Sequence, residues 1–197
     1  MSSGTKNVSE ALPGLGYKNN SEDNTKNACK IALAEGVTAT GGVVYDGALY
    51  APSGTAVTVT PAPGTDNLFL NNTLLTAVGG VYSFNVPAKD STLSDHPEIA
   101  GLTYNSDTMC FEIGTVAELQ ALATYANAGN DCAGITFKQV ADIDLSSVAN
   151  FTAIGDESNQ FKGTYDGGNY KISNLTISST DDYEGLFAVI GAGGTRS

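Results

Sequence analysis

Six carboxylates in the C-terminal half are the residues whose types and spacing best suit chemistry. Asp142 and Asp144 alternate with Ile143 and Leu145, so on an extended strand with its apolar pair inward both acids share the outer face. Asp156, Glu157, Asp181 and Asp182 follow. Oxygen ligands of this kind bind Ca²⁺, and two carboxylates about 5 to 9 Å apart can act as acid and base in glycoside hydrolysis. Neither pattern is complete. No closely spaced calcium-loop motif accompanies the acids, and no nucleophile, base and orienting group can be assembled around them. The spacing favours a solvated strand face and turn acids, with no catalytic, cofactor-binding or metal-ligating residue.

The remaining reactive side chains point the same way. His96 is the sole histidine and stands beside Pro97, which excludes histidine-based zinc sites by count and reads as an ordinary exposed residue. Cys29, Cys110 and Cys132 lack Cys-x-x-Cys spacing, against thiol redox catalysis and thiolate zinc. At least one is unpaired; a Cys110 to Cys132 bridge and free thiols both fit the spacing. Gly191-Ala-Gly-Gly194 lacks the Lys-Ser/Thr ending of a phosphate loop and reads as a turn. A polysaccharide lyase would need a positioned base and cations around a uronate, yet Arg196 is the sole arginine and the eight lysines are scattered. Tyr165, Tyr170 and Tyr183 could form a sugar-stacking or partner-binding surface, although tyrosines are also common strand residues. The chain is not expected to be an enzyme.

The elements that would position these groups are short. Phe161 and Tyr165 bracket one extended run, and Ile172, Leu175 and Ile177 mark the next, with a change of direction at Ser173-Asn174. Runs this small are stabilised by stacking coil on coil in a solenoid. Ahead of them lies one helix. Thr115 caps it and Glu118 reaches back to the Thr115 amide, Val116, Leu119, Leu122, Ala123 and Ala126 fall on one face, and Gly129 ends it. Such a helix would cover the open end of the solenoid. Ile135 to Gly191 has room for fewer than three coils at roughly 20 to 25 residues each, so further coils of the parent protein are expected after Phe187-Ala-Val-Ile190.

The N-terminal half reads differently. Residues 1–27 are rich in Ser, Asn, Lys, Glu and Gly and suggest a flexible leader, with Leu12, Leu15 and Tyr17 as its apolar pieces. Strand signals run through Lys30–Ala34, Gly42–Tyr45, Ala48–Tyr50 and Ala56–Thr60. Beyond Pro-Ala-Pro-Gly they resume at Leu68–Leu70, Leu74-Leu75 and Val81–Val86, with Asn71-Asn72 and Gly79-Gly80 at turns. Residues 28–93 are therefore expected to form a small all-β domain, 94–106 a linker, and 107–197 the helix-capped solenoid domain.

Two resemblances accompany this reading. From Phe111 to Gly194 the chain resembles the GLUG-type repeats of bacterial surface proteins. The matching segments run, in order, through Ile113-Gly-Thr-Val-Ala-Glu-Leu-Gln-Ala-Leu-Ala123, Asn127-Ala-Gly129, Ala141-Asp-Ile-Asp-Leu-Ser146, Ala153-Ile-Gly155, Phe161-Lys-Gly-Thr-Tyr-Asp-Gly167, Ile172-Ser-Asn-Leu-Thr-Ile177 and Gly185-Leu-Phe187. Ala188 stands where the family usually has a second glycine. The resemblance implies a right-handed parallel β-helix, found in secreted adhesins, large cell-envelope proteins and beside some proteolytic domains. The earlier pattern, Thr-Val-Thr-Pro-Ala-Pro-Gly64, a Gly-Gly turn and Tyr-Ser-Phe-Asn-Val-Pro-Ala88, more loosely resembles divergent internalin-type B-repeats, which act as surface spacers or adhesive units. The fold class implied is mainly β, a small all-β domain followed by the capped start of a right-handed parallel β-helix with one short α-helix.

Composition sets the partners. With 21 Asp plus Glu against 9 Lys plus Arg the net charge is -12, which repels nucleic acid and anionic membranes. No apolar run is long enough to span a bilayer, and the N-terminus lacks a basic segment followed by an apolar one. Because the related modules are exported, Met1-Ser2-Ser3-Gly4 reads as an added start with the native signal peptide left off. The expected role is a non-catalytic module of a bacterial secreted or cell-surface protein, for adhesion or display toward a host or cell-surface glycan or protein. The alternatives are an ancillary segment of a carbohydrate-active or proteolytic enzyme, and a purely structural spacer.

Overall fold

A computed structural model of the chain describes residues 28–178 and 183–196. The expected leader, residues 1–27, and the acids Asp181 and Asp182 lie outside the described residues. Those described are mainly β, with short strands in several sheets and one helix. The chain divides into two compact units between Pro97 and Glu98. The stretch 94–106, expected as a linker, supplies strand residues to both: Ser94 ends a strand of the first and Tyr104–Asn105 is a strand of the second, with Ile99 buried.

In the N-terminal unit, alternation decides which side chains go inward. β1 (Ala28–Ala32) turns Cys29 and Ile31 inward, and β5 (Ala56–Thr60) does the same with Val57 and Val59. The other strands are β2 (Thr38–Thr40), β3 (Val43–Tyr45), β4 (Ala48–Pro52), β6 (Phe69–Leu70), β7 (Thr73–Leu74), β8 (Ala77–Val78), β9 (Val81–Asn85) and β10 (Ser91–Ser94). One sheet has the order β3-β4-β1-β10-β6-β7, the other β2-β5-β9-β8. β4 lies between β3 and β1, and Ala48 to Ala51 are all buried. Ile31, Leu49, Leu93, Val57, Val59 and Tyr82 pack in one core, so both sheets share it. Asn71-Asn72 and Gly79-Gly80 take the left-handed backbone that tight turns require. β1 is antiparallel to β4 but parallel to β10, with Ile31 opposite Ser91.

The C-terminal unit is built on parallel pairing. β11 (Tyr104–Asn105) is antiparallel to β12 (Cys110–Ile113). From β12 the sheet continues in parallel through β13 (Thr136–Gln139) and β15 (Thr164–Asp166) to β17 (Thr195–Arg196). Phe111, Phe137, Tyr165 and Arg196 occupy one register column. β14 (Ile143–Asp144) and β16 (Ile172–Ser173) form a second parallel pair, and parallel bridges join Ile154 to Phe187 and Phe161 to Ile190. Partners lie 26 to 33 residues apart, from Phe111–Phe137 to Ile154–Phe187. That exceeds the roughly 20 to 25 expected for one coil.

Aromatic rings fill the interior. Phe111 lies 5.7 Å from Phe137, Phe137 6.0 Å from Phe161, and Phe161 5.0 Å from Phe187, between ring centroids. The change of direction expected at Ser173-Asn174 is present: the strand ends at Ser173 and Asn174 takes φ 57°, while beyond it Leu175 is exposed and Ile172 and Ile177 are half-buried.

The helix, α1 (Val116–Asn127), keeps its expected face: Leu119, Leu122, Ala123 and Ala126 are buried, while Val116 is only half so. Its cap differs in one bond. Thr115 Oγ1 accepts the Glu118 amide at 3.2 Å, but Glu118 Oε2 accepts the Gly114 amide at 2.9 Å, one residue earlier than the Thr115 amide expected. The Thr115 hydroxyl donates to the same carboxylate oxygen at 2.9 Å. The Gly129 amide closes the far end on the Ala126 carbonyl, with φ +95° at Gly129.

Candidate functional site

The carboxylates proposed from spacing are where the alternation puts them. Ile143 and Leu145 are buried, and Asp142 and Asp144 are exposed on the outer face. Their oxygens, however, are engaged by the chain. Asp142 Oδ1 accepts the Lys171 amide at 2.8 Å. Asp144 Oδ1 accepts Asn174 Nδ2 at 2.7 Å and the Ser146 amide at 2.9 Å, bonds that hold its carboxyl below the usual range, Asn174 contributing most. Asp156 Oδ1 accepts the Ser158 and Asn159 amides, each at 2.7 Å, and its carboxyl is held low chiefly by the Asn159 side chain. Asp144 and Asp156 thus pin their own turns, and Asp142 and Asp144 also bind a segment about thirty residues on. Among the described residues no three His, Cys, Asp or Glu side chains gather as a metal site.

The tyrosines do not share one surface. Tyr165 is buried, and its hydroxyl donates to Gln139 Oε1 at 3.2 Å; burial pushes its phenol up to about 12. Gln139 is itself 1% exposed, and its amide nitrogen reaches the carbonyls of Ala141 (2.8 Å) and Lys171 (3.3 Å). It is a buried polar hub that the sequence, read for charge, did not mark. Tyr170 and Tyr183 are exposed on separate depressions: Tyr170 beside Ile172, Leu186, Phe187 and Arg196, Tyr183 beside Asn150, Thr152 and Asp156.

The other reactive side chains are confined by their surroundings. All three cysteines are buried and free, so the Cys110 to Cys132 bridge does not form. Cys110 Sγ lies 3.1 Å from Thr108 Oγ1, and Cys132 Sγ donates to the Asn130 carbonyl at 3.4 Å. Burial, then the Asp131 charge, pushes the Cys132 thiol up to about 12, which removes it as a nucleophile near neutral pH. Asp131 pairs with Lys162 Nζ at 3.0 Å. Burial alone would raise its carboxyl, but the Ala133 amide and Lys162 together hold it low. In the N-terminal unit His96 is half-buried rather than exposed, with Nδ1 2.7 Å from Asp95 Oδ1. Ser94 Oγ donates to the His96 carbonyl at 2.6 Å, not to the ring. Ser94, Asp95 and His96 thus lack the hydroxyl-to-imidazole contact of a nucleophilic triad.

No family model matches the chain, and no solved structure matches it. Over 88 residues it is 36% identical to a protein of Evansella cellulosilytica named "Putative Gly-rich membrane protein", covering 42% of this chain and 10% of that one. The chain thus spans about a tenth of that relative's length. Among the described residues no helix is long and apolar enough to cross a membrane.

Proposed function

We propose that the chain is a non-catalytic module of a bacterial secreted or cell-surface protein and serves adhesion or display. In this reading the C-terminal unit is the capped start of a right-handed parallel β-helix of the GLUG type, and the N-terminal unit is a small β module of the internalin B-repeat kind. The observation that carries it is the in-register parallel pairing of β12, β13, β15 and β17 over a stack of buried phenylalanines. Such pairing builds a rigid scaffold whose outer side chains are free to vary. The relative matched over 88 residues, a tenth of its own length, is named as a membrane protein, which is compatible with a modular origin in the cell envelope. The partner is a host or cell-surface glycan or protein, not nucleic acid. Binding of the labelled chain to a glycan array and to immobilised host-matrix proteins tests this. Saturable binding without cleavage is expected. Release of reducing ends or peptides, or the absence of any saturable partner, would overturn it.

A further inference from the structure

We propose that the depression between Tyr170 and Arg196 is a binding subsite for a pyranose ring bearing a carboxylate, a uronic acid being the simplest example. The proposal rests on the adhesion reading above and names the ligand chemistry for it.

Phe111, Phe137 and Tyr165 stand in successive paired positions and are all buried, yet the fourth position of that register column is Arg196. It is the chain's sole arginine, set in a molecule of net charge -12. The backbone holds it in place. The Thr195 amide donates to the Gly163 carbonyl at 2.9 Å, the Thr195 and Thr164 hydroxyls are 3.2 Å apart, and Arg196 pairs with Tyr165. Gly194 allows the approach, since a Cβ there would lie 2.5 Å from the Phe161 carbonyl oxygen. Among the described residues none forms an ion pair with the Arg196 guanidinium.

Around that cation the depression is largely apolar, with three aromatic rings among its lining residues. Tyr165, Phe187 and Ile172 line it from the interior side, and the Tyr170 ring stands exposed at its edge. Tyr170 is fixed by a tight turn: its amide donates to the Gly167 carbonyl at 2.9 Å, while Gly168 and Asn169 take φ 59° and 65°. A Cβ on Gly168 would lie 2.7 Å from the Gln139 carbonyl oxygen and 3.1 Å from the Tyr170 ring, so the ring packs directly on its own turn. The cavity is about 420 Å³, within the range of small-molecule sites.

Chemistry then selects the ligand. The guanidinium fork matches a carboxylate in a bidentate geometry. A phenol ring presents a flat apolar face with a polar tip, suited to the C–H face of a sugar ring. Asp166, which follows Tyr165 on β15, accepts the Gly168 amide through Oδ1 at 2.9 Å. Because the overall field repels anions, an anion is recognised here only through local contact with Arg196. A neutral sugar leaves that fork unpaired, and a peptide carboxylate lacks the saturated ring that would cover Tyr170.

The test titrates the full chain at low salt with digalacturonic acid, with the neutral galactose disaccharide, and with an acetylated dipeptide carrying a free carboxylate. Digalacturonic acid should bind at least about tenfold tighter than the neutral disaccharide, the scale of one charge-assisted contact. Arg196→Gln should abolish that preference and Arg196→Lys should keep part of it. Tyr170→Ala should weaken both sugars and Tyr170→Phe should restore them, with unchanged melting temperatures showing that each variant is folded. Equal binding of the two disaccharides, a preference surviving in Arg196→Gln, tighter binding of the dipeptide, or no binding at all would overturn the subsite. Array or host-protein binding that persists in Arg196→Gln would overturn it while leaving the adhesion reading standing.

Discussion

Replacing Phe137 by alanine is the sharpest probe of how the C-terminal unit is held together. The side chain is fully buried, with ring centroids of Phe111 and Phe161 at 5.7 and 6.0 Å. Truncating a buried phenylalanine costs about 3–5 kcal/mol. Two ring pairs, each contributing about 0.5–1.5 kcal/mol beyond area, place this site in the upper part of that range. Against a domain stability of about 5–15 kcal/mol, the unit should remain folded but lose much of its margin. With a urea slope of about 2 kcal/mol per molar, the midpoint should fall by about 2 M. The buried free thiols supply the readout: Cys110 and Cys132 report on this unit, and Cys29 on the other. Pulsed thiol labelling across a urea series, resolved by peptide mapping, should show Cys110 and Cys132 reacting at lower urea in Phe137→Ala. Phe137→Leu, which keeps most of the volume, should cost about 1.5 kcal/mol. A loss below about 1 kcal/mol for the alanine variant would refute the stack as a major source of stability.

Three further outcomes are expected. Leu119→Asp and Leu122→Asp each bury a carboxylate at a fully buried position of α1 and should destabilise the C-terminal unit by several kcal/mol in chemical denaturation; near-wild-type midpoints would show that the helix is not part of the core. Millimolar Ca²⁺ should leave the melting temperature unchanged, because the oxygens of Asp142, Asp144 and Asp156 accept protein hydrogen bonds; a saturable rise abolished by Asp142→Asn would contradict this. The carboxyls of Asp144 and Asp156 lie below their unfolded values, so their contribution is present above about pH 4 and is lost as pH falls through the folded-state values. Thermal melts from pH 7 to 2 should decline over that window, and less steeply in Asp144→Asn, which keeps the acceptor oxygen without the titration.

Local patterns carried far into this fold and long-range pairing did not. The stripe of Leu119, Leu122, Ala123 and Ala126 and the alternation across Asp142 to Leu145 were legible because a helix turn and a strand pleat each have a fixed period. Asn71-Asn72 and Gly79-Gly80 were legible because few residues adopt positive φ. The strands Thr38–Thr40, Ala77–Val78 and Tyr104–Asn105 leave no signal in the sequence: each has only two or three residues, too few to show a period. Ser91–Ser94 was hidden by its serines and threonine, although it pairs with β1 sixty residues earlier. At Glu118 the residue type marked a capping box, but which amide it met depended on the approach of Gly114. Among the site residues the outward acids were placed correctly. Their engagement by Lys171 and Asn174, 29 and 30 residues on, depends on a register that composition does not encode.

The near-constant spacing of partners in the C-terminal unit bears on how such a chain acquires its structure. Each parallel strand bonds to one 26 to 31 residues away, so the loop that must close to add a strand stays the same size however many strands already stand. Loop entropy grows only with the logarithm of length, and folding slows as contacts become more distant relative to the chain. A longer array of this kind therefore meets the same small barrier at every step instead of one that rises with size. For the parallel array proposed, growth in order from the amino end would let each paired strand offer its free edge to the next.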